Sequence, residues 1–144
     1  ALAEMHRVLR PGGRAVAAVW GDRKHCGWAE IFPIVDARVA SEVCPMFFQL
    51  GTGDTLLRVM QAAGFAEIRV DRIRTTLRYE SGADAIGAAF VGGPVALAYS
   101  RFDAAVRDAA HAEYLQSIEG YRKGDTYDVP GEFVIARGIK PSAT

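Results

Sequence analysis

The strongest constraint on the fold is a helix-turn-strand pattern in residues 1–20. Apolar side chains recur at helical spacing as far as Leu9, Pro11 cannot continue that helix, and the two glycines after it can adopt the positive φ angles of a C-terminal cap. Residues 15–20 then form an apolar run. Because such a run is typical of a strand covered on both faces in an α/β sheet, the pattern predicts an α/β fold.

The start of this pattern also leads to an expectation about the chain as a whole. The helix begins at Ala1, and no Ser, Thr, Asp or Asn precedes it to cap its first amides. We therefore expect the chain to begin in the middle of a fold. The alternative is a trimmed terminus on a complete small protein.

Length and composition predict one domain. The chain has 144 residues, of which 50% are hydrophobic, enough for a single sizeable core. Its 17 basic residues balance 17 acidic ones, so the net charge would attract neither nucleic acid nor an anionic membrane surface. The longest weakly polar stretch, residues 83–99, is interrupted by Asp84 and by a Gly-Gly-Pro sequence, so we expect no membrane-spanning helix.

Cysteine and histidine are too sparse to predict a metal site. Cys26 and Cys44 are too far apart for a zinc site or a redox pair. The histidines at positions 6, 25 and 111 show no repeated ligand spacing. We therefore expect reduced thiols, a cytoplasmic location and no bound metal.

Hydrophobic periodicity predicts the remaining elements. Strands are expected at residues 14–20, 66–79 and 132–138, and helices at residues 28–43, 56–63, 83–90 and 94–120. Pro33 is expected to kink the first of these helices, and Cys44 with Pro45 to end it. A break near Ser100 is an alternative to one long helix at residues 94–120.

Three blocks of the sequence resemble class I S-adenosylmethionine-dependent methyltransferases. The first is Arg-Val-Leu-Arg-Pro-Gly-Gly at residues 7–13, which resembles the helix and turn before the fifth strand of that family. The second, residues 55–70, is similar to the family's helix-to-strand unit with its Ala-Gly-Phe junction. The third, residues 131–137, is similar to its closing antiparallel strand. In order and spacing the blocks resemble most closely the ubiquinone and menaquinone biosynthesis type.

The resemblance implies that residues 1–144 are a single domain, the C-terminal half of a Rossmann-like methyltransferase fold. The last of about three strands would lie antiparallel between the other two. Residues 81–126 would form a helical insertion that covers the substrate. The outer edge of the strand at residues 14–20 would then lack its neighbour, so we expect self-association through that edge.

The same resemblance places the cofactor S-adenosylmethionine in the parent enzyme and outside this chain. In the family the cofactor is held by a Gly-rich loop and an acidic residue of the first four strands, which have no counterpart here. Residues 51–54, Gly-Thr-Gly-Asp, imitate such a loop, but no buried strand leads into them and they suit a loop before a helix. We therefore expect no cofactor to bind this chain alone.

Aromatic residues are the candidates for binding a small-molecule methyl acceptor. Ligands of open α/β sheets lie beyond the carboxyl ends of the strands, which points to Trp20 and the turn after it. Core packing is the competing interpretation, above all for Trp28, which shares helical spacing with Phe32 and Val35. The substrate-binding candidates are Trp20, Trp28, Phe47, Phe48, Phe90 and Tyr99.

His25 is the candidate for a catalytic base, because imidazole titrates near neutral pH. A solvated turn histidine is the competing interpretation, since the sequence identifies no carboxylate partner. His6 and His111 are expected on helix surfaces. An arginine series could bind an acidic substrate or form a solvated, ion-paired face. It consists of Arg69, Arg72, Arg74 and Arg78.

Together these patterns predict the C-terminal portion of a methyltransferase that acts on a small molecule and is inactive in isolation. The alternative is a non-catalytic module that uses the same fold to bind a hydrophobic ligand or a partner protein. A complete Gly-rich strand-loop-helix upstream in the parent gene would decide for the enzyme, and its absence would favour the module.

Overall fold

The computed structural model describes residues 1–39 and 46–142 of the chain. Helices among those residues are α1 (Leu2–Val8), α2 (Ile31–Asp36), α3 (Thr55–Ala62), α4 (Gly82–Ile86), α5 (Ala96–Tyr99) and α6 (Ala104–Ile118). A π-helical turn at Gly87–Val91 continues α4, and 3₁₀ turns lie at Arg23–His25 and Glu119–Tyr121. The strands are β1 (Arg14–Trp20), β2 (Ala66–Tyr79), β3 (Arg122–Lys123) and β4 (Thr126–Ile139).

The strands form one antiparallel sheet in which β4 lies between β1 and β2. The β1–β4 register runs from Arg14 opposite Ile139 to Trp20 opposite Phe133. β2 pairs with β4 along most of its length, and β3 forms a short hairpin with the start of β4. The sheet therefore has the predicted order, with the last strand antiparallel between the other two.

One face of the sheet is covered by α1 and α3, and we call it the helix face. Leu56 and Met60 of α3 are fully buried there against Val134 and Ala136 of β4. Burying one such side chain stabilises the fold by about 1.5–3 kcal/mol. The 3.6-residue periodicity of α3 and the alternation of β4 thus specify this layer.

The opposite face carries Trp20, Leu77 and Val129, and we call it the cavity face. Its end near Trp20 is covered by α2, α6 and the π-helical turn, which contribute buried side chains such as Phe32 and Tyr114. This larger core follows from the apolar and aromatic residues of the helical segments between β1 and β4.

The other end of the cavity face is bare in the described part of the chain, and we call it the open end. Val16 is 64% exposed there and Ile73 is 46% exposed. The arginines beside them, Arg14, Arg69 and Arg137, are exposed as well. The prediction that β1 is covered on both faces is therefore wrong for this chain, because α1 and α3 cover the helix face alone.

α2 is shorter than the helix predicted at residues 28–43. It covers Ile31–Asp36, and Pro33 lies in its first turn. Because a backbone N–H is not needed in the first turn of a helix, Pro33 does not produce the predicted kink. The predicted helix end at Cys44 and Pro45 lies outside the described residues.

The long helix predicted at residues 94–120 is two helices, α5 and α6, with a break at residues 100–103. The break coincides with the alternative near Ser100. Asp103 begins α6, because its side chain accepts a hydrogen bond from the Val106 N–H at 2.9 Å. A capping residue inside an apolar pattern therefore ended one helix and began another.

β4 begins at Thr126, six residues before the predicted start of the last strand. The sequence interpretation placed Pro130 and Gly131 before the start of the strand. In the structure Pro130 pairs with Thr76 of β2, while β1 has already ended at Trp20, which lies opposite Phe133. Because no β1 neighbour requires an N–H from Pro130, proline is tolerated within this strand.

Candidate functional site

A cavity of about 520 Å³ lies between the cavity face and the helices that cover it. On the sheet side it is lined by Trp20, Leu77 and Tyr79, and at its margin by Trp28 and Phe47. Trp20 is the last residue of β1, so the cavity lies at the carboxyl end of that strand.

The opposite wall comes from the helical segment. Ala88 and Ala89 of the π-helical turn, residues 92–94 and Tyr114 of α6 line the cavity there. A Cβ at Gly93 would lie 2.5 Å from the Ala89 carbonyl oxygen. Glycine at this position therefore lets the loop pack directly on the π-helical turn, and small residues leave the cavity open.

Aromatic packing fixes the tryptophan side of the cavity. The Trp20 ring stacks on Phe133 with centroids 4.3 Å apart, and its centroid lies 4.8 Å from that of Trp28 at a steep angle. Phe47 and Phe48 contact Trp28 with ring centroids 5.6 Å and 5.5 Å away. Because each tryptophan is held by further rings, the wall is preformed.

The cavity is apolar and carries no charge among its described lining residues. Burial raises the pKa of Tyr79. Burial also raises the pKa of Tyr114, and the neighbouring Tyr79 raises it further. Both phenols are therefore neutral hydroxyl groups at physiological pH.

Two donors beside the cavity have no partner. The Trp28 indole Nε1–H and the Tyr114 hydroxyl are buried and form no hydrogen bond with the described residues. Trp28 is 7% exposed and Tyr114 is fully buried. An unsatisfied buried donor costs about 1–3 kcal/mol of stability.

The structure distributes the six predicted substrate-binding residues unequally. Trp20, Trp28 and Phe47 line the cavity. Phe48 is buried behind Trp28, and Phe90 lies in the core, where its ring contacts Tyr114. The sixth, Tyr99, lies outside the lining, and its hydroxyl forms a 2.9 Å hydrogen bond with His111 Nε2.

A buried carboxylate, Glu132, lies at the middle of β4 with its side chain on the helix face. Its Oε1 accepts hydrogen bonds from the Asp22 N–H at 3.0 Å and from Arg72 at 2.8 Å. Its Oε2 lies 3.0 Å from His25 Nδ1. Arg72 also donates to the carbonyls of Gly51 and Gly53. This network joins β4, β2 and the loops after β1 and before α3.

The network determines the ionisation of Glu132. Burial alone would raise the pKa of its carboxyl group. The hydrogen bond from the Asp22 N–H, the hydrogen bond and charge of His25 and the charge of Arg72 outweigh that effect and lower the pKa. Glu132 is therefore an ionised carboxylate held inside the protein.

His25 differs from both sequence interpretations. It has a carboxylate partner, Glu132, so it is not a freely solvated turn histidine. Its Nε2 lies 3.3 Å from the Arg74 guanidinium, and its side chain is absent from the described cavity lining. Because one ring nitrogen lies beside Glu132 and the other beside Arg74, the geometry supports a role in stabilising this loop.

The other predicted surface groups are also engaged. The His6 ring packs edge-on against Phe65 with centroids 5.0 Å apart, and His111 packs on Phe90, so neither is a simple surface residue. Arg78 pairs with Glu80 at 3.0 Å. Arg72 pairs with Glu132, so two members of the arginine series form ion pairs, and a third, Arg74, contacts the His25 ring.

Residues 51–54, the segment that imitates a cofactor loop in sequence, form contacts with β1 and β2. A Cβ at Gly51 would lie 1.7 Å from the Trp20 carbonyl oxygen, so this backbone packs against the end of β1. The residues lead into α3, and two of their carbonyls accept from Arg72. The backbone of residues 51–54 is therefore packed against β1, and two of its carbonyl groups are already hydrogen-bonded to Arg72.

Residues 1–39 and 46–142 contain neither a cluster of metal ligands nor a membrane-spanning helix. No three or more His, Cys, Asp and Glu side chains converge there in a way that could hold a metal ion. Within the same ranges, no helix has both the length and the apolar character needed to cross a bilayer. Cys26 is a buried free thiol, and burial raises its pKa.

No protein-family model and no curated protein matches the sequence. Solved structures do match the fold. A protein from Bacillus halodurans C-125, provisionally named a methyltransferase, matches 98% of this chain with a TM-score of 0.53 and 15% identity. Phosphoethanolamine N-methyltransferase 2 of Haemonchus contortus, in complex with phosphomonomethylethanolamine and S-adenosylhomocysteine, matches 98% of the chain with a TM-score of 0.44 and 14% identity.

The chain has a methyltransferase-like fold. It spans 62% of the Bacillus structure and 29% of the Haemonchus structure. At this level of identity the likeness concerns architecture, and it favours no particular methyltransferase type, including the ubiquinone and menaquinone type.

The sequence interpretation missed two residues of the candidate site, Glu132 and Tyr114. Glu132 interrupts the otherwise apolar end of a central strand, and such an isolated charge is a signal for a buried ion-pair network. Tyr114 shares helical spacing with Ala110 and Ile118, both fully buried, so periodicity could have placed it inward. The spacing could not show that it borders a cavity.

Proposed function

We propose that this chain forms the methyl-acceptor-binding part of an S-adenosylmethionine-dependent methyltransferase that acts on a small molecule. The observation that most directly supports this proposal is the aromatic cavity at the carboxyl end of β1 in a methyltransferase-like fold. Ligand sites of open α/β sheets lie at such strand ends. The helical segment over residues 81–126 would act as the substrate cover.

In this proposal the chain's own residues bind the acceptor and exclude water. The rings of Trp20, Trp28 and Phe47 provide a preformed surface, and the π-helical turn and α6 close the opposite side. Methyl transfer depends on holding the acceptor in line with the donor in a dry site, so positioning is the main contribution expected of a protein.

The cofactor site is assigned to residues outside this chain. The loop that imitates a cofactor loop, residues 51–54, is packed against Trp20 and bonded to Arg72. These residues do not fit S-adenosylmethionine, so we derive no step of the transfer itself from the chain. Alone, the chain is expected to be inactive.

A non-catalytic ligand-binding module is the second candidate function. It is favoured by one observation: aromatic packing around Trp20 and Trp28 preforms the cavity wall. Such a module would bind an apolar ligand without a cofactor.

Calorimetric titration with S-adenosylhomocysteine separates these functions. We would titrate the 144-residue chain and a protein that also contains the residues encoded upstream in its gene. Binding by the longer protein and not by the chain supports the methyltransferase proposal. Binding by the chain alone contradicts our assignment of the cofactor site, and absence of binding by both favours the module.

A further inference from the structure

We propose that the open end of the sheet binds the phosphate group of a small phosphate monoester through Arg14, Arg69 and Arg137. This site is separate from the aromatic cavity, and it goes beyond the proposed function because it holds whether or not the cavity belongs to a methyltransferase. Three observations support it: a depression in the sheet surface, a strand register that gathers three arginines there, and the lack of carboxylate partners for them.

A depression of about 420 Å³ lies at the open end. All three long strands contribute to its lining: Arg14 and Val16 come from β1, Arg69 from β2, and Arg137 and Ile139 from β4. Its volume is in the range of small-molecule sites. Because strands carry these residues, the register of the sheet fixes where each side chain begins.

The register places the three arginines next to one another. Arg137 of β4 lies directly opposite Arg69 of β2 on one side and Val16 of β1 on the other. Arg14 precedes Val16 by two residues, so it belongs to the same face and lies diagonal to Arg137. The Cβ atoms of directly opposite residues are about 4.5–5.5 Å apart, and those of diagonal residues about 7–8 Å apart. Long arginine side chains that start this close can contact one bound anion.

The three arginines have no partner in the described part of the chain. Arg14, Arg69 and Arg137 form no side-chain hydrogen bond or ion pair there, whereas Arg38 and Arg58 lie 2.6 Å and 2.8 Å from a carboxylate oxygen. Like charges directly opposite each other on paired strands destabilise a sheet. An anion bound between Arg69 and Arg137 would remove that repulsion, so the arrangement favours an anionic ligand.

The charge of the lining indicates the class of anion. Three arginines and one carboxylate, Glu67, leave an excess of two positive charges. A phosphate monoester carries a charge of about −1.5 to −2 at neutral pH and three acceptor oxygens. Guanidinium groups donate to phosphate oxygens in bidentate geometry. Val16 is 64% exposed beside the arginines, so it offers an apolar contact to the organic part of the ester.

The test compares anions of different charge at constant ionic strength and pH 8. The chain is titrated with phenyl phosphate, inorganic phosphate and benzenesulfonate, and ¹⁵N–¹H spectra are recorded. We expect phenyl phosphate to bind with a Kd of about 1 mM and to shift the backbone signals of Val16 and Arg137. The indole signals of the two tryptophans should stay in place. Inorganic phosphate should shift the same backbone signals, and benzenesulfonate, with the same ring and one charge, should bind about fivefold more weakly.

Variants of the lining should act in opposite directions. Arg137→Gln removes the central charge and should weaken phenyl phosphate binding about tenfold, and Arg69→Gln about fivefold. Glu67→Gln removes the negative charge and should strengthen binding about twofold. Arg101→Gln, at an exposed arginine outside the described lining, is the matched control and should change affinity by less than about twofold. All four positions are exposed, so each variant should fold, which circular dichroism verifies.

Several results would overturn the inference. They are equal affinity for benzenesulfonate, an equal loss for Arg101→Gln and Arg137→Gln, shifts at the indoles in place of Val16, and no binding at about 20 mM phenyl phosphate. Tighter binding of a single-stranded oligonucleotide would also overturn it, because the surface would then recognise phosphodiesters. So would loss of phenyl phosphate binding in the protein that contains the upstream residues, because another segment would then cover the arginines. Titration with S-adenosylhomocysteine is a separate measurement, so failure of the proposed function and failure of this site are distinguishable.

Discussion

The two ends of the cavity face differ although they share the same strands. At the end near Trp20, Leu77 and Val129 lie beneath helices and border an aromatic cavity. At the open end, Val16 is 64% exposed and is surrounded by arginines. β2 and β4 pair at both ends, with a register shift between Ala66 and Arg69 at the open end, and β1 pairs with β4 as far as Trp20.

The difference shows that hydrogen bonding between the strands does not depend on whether helices cover the face of the sheet. β2 and β4 pair both where helices lie over them and where none does, whereas burial on this face depends on α2, α6 and the π-helical turn. We therefore expect residues at the covered end to determine stability and ligand binding, and residues at the open end to affect association with other surfaces.

The largest difference is expected for the same substitution at the two ends. Val129→Ala removes two fully buried methyl groups and should lower the free energy of unfolding by about 2 kcal/mol. Val16→Ala, the matched control at the open end, should change it by less than about 0.5 kcal/mol. Urea denaturation measures both values. Equal losses would show that the open end is covered in solution.

The next effect concerns the helix face, where Glu132 joins β4 to the surrounding loops. Glu132→Gln keeps the shape of the side chain and removes its charge, leaving Arg72 and His25 without a carboxylate. We expect a loss of about 2 kcal/mol at pH 7, because breaking a buried ion pair is costly and partial exposure of Arg72 moderates that cost. Chemical denaturation at pH 7 provides the measurement.

The pH dependence gives this prediction its control. Folding lowers the pKa of Glu132 below the reference value of 4.5, so its contribution is fully present above that pH. The contribution is lost as the pH falls through the folded-state pKa. The difference between wild type and Glu132→Gln should shrink in acid, whereas a pH-independent difference would contradict an electrostatic role. Asp128→Asn, at a pair with the exposed Lys123, should cost clearly less stability than Glu132→Gln.

Self-association is the next effect, and it depends on the outer edge of β1. The Gly21 N–H donates to the Glu132 carbonyl at 2.6 Å, so alternation along the strand directs the N–H groups of Val16 and Ala18 away from β4. In the described part of the chain no strand pairs with that edge. We propose that two copies pair there, and we expect a dimer in sedimentation equilibrium.

The variant Ala18→Pro removes one outward N–H and should weaken dimerisation about tenfold, the equivalent of about 1.4 kcal/mol. Proline is tolerated where an edge N–H faces solvent, so the monomer should remain folded. Val59→Ala, on a partly exposed part of α3, serves as a control for association. A wild-type monomer at all concentrations would contradict the proposal.

Local patterns in the sequence predicted the elements of the sheet well. The segments that became β1 and β2 were assigned with their observed bounds, because their residue types and the turn at Pro11 specify local conformation. The order of the strands came from the family resemblance. The start of β4 was missed because tolerance of Pro130 depends on where β1 ends, which is a property of the assembled sheet.

The candidate site was less predictable, because it depends on contacts between distant residues. Glu132 and His25 are separated by more than a hundred positions and meet only when the loop after β1 folds against β4. Similarly, aromatic content identified Trp20 and Phe47 without indicating that Tyr114 would border the same cavity. Residue types thus indicated an aromatic binding site, whereas tertiary packing determines which aromatic and charged residues belong to the cavity and to the Glu132 network.

The smallest effect concerns the hydroxyl of Tyr99, which bonds His111 Nε2 at 2.9 Å under the covered end. Tyr99→Phe removes that bond and should cost about 1 kcal/mol in urea denaturation. The ring remains, so its packing on Phe90 and the Arg107 guanidinium over it are retained, and the measured loss belongs to the hydroxyl. Arg69→Gln at the open end should change stability by less than about 0.5 kcal/mol. A larger loss for Arg69→Gln would mean that the open end is stabilised by charge, and the two ends would then differ in the kind of interaction they use.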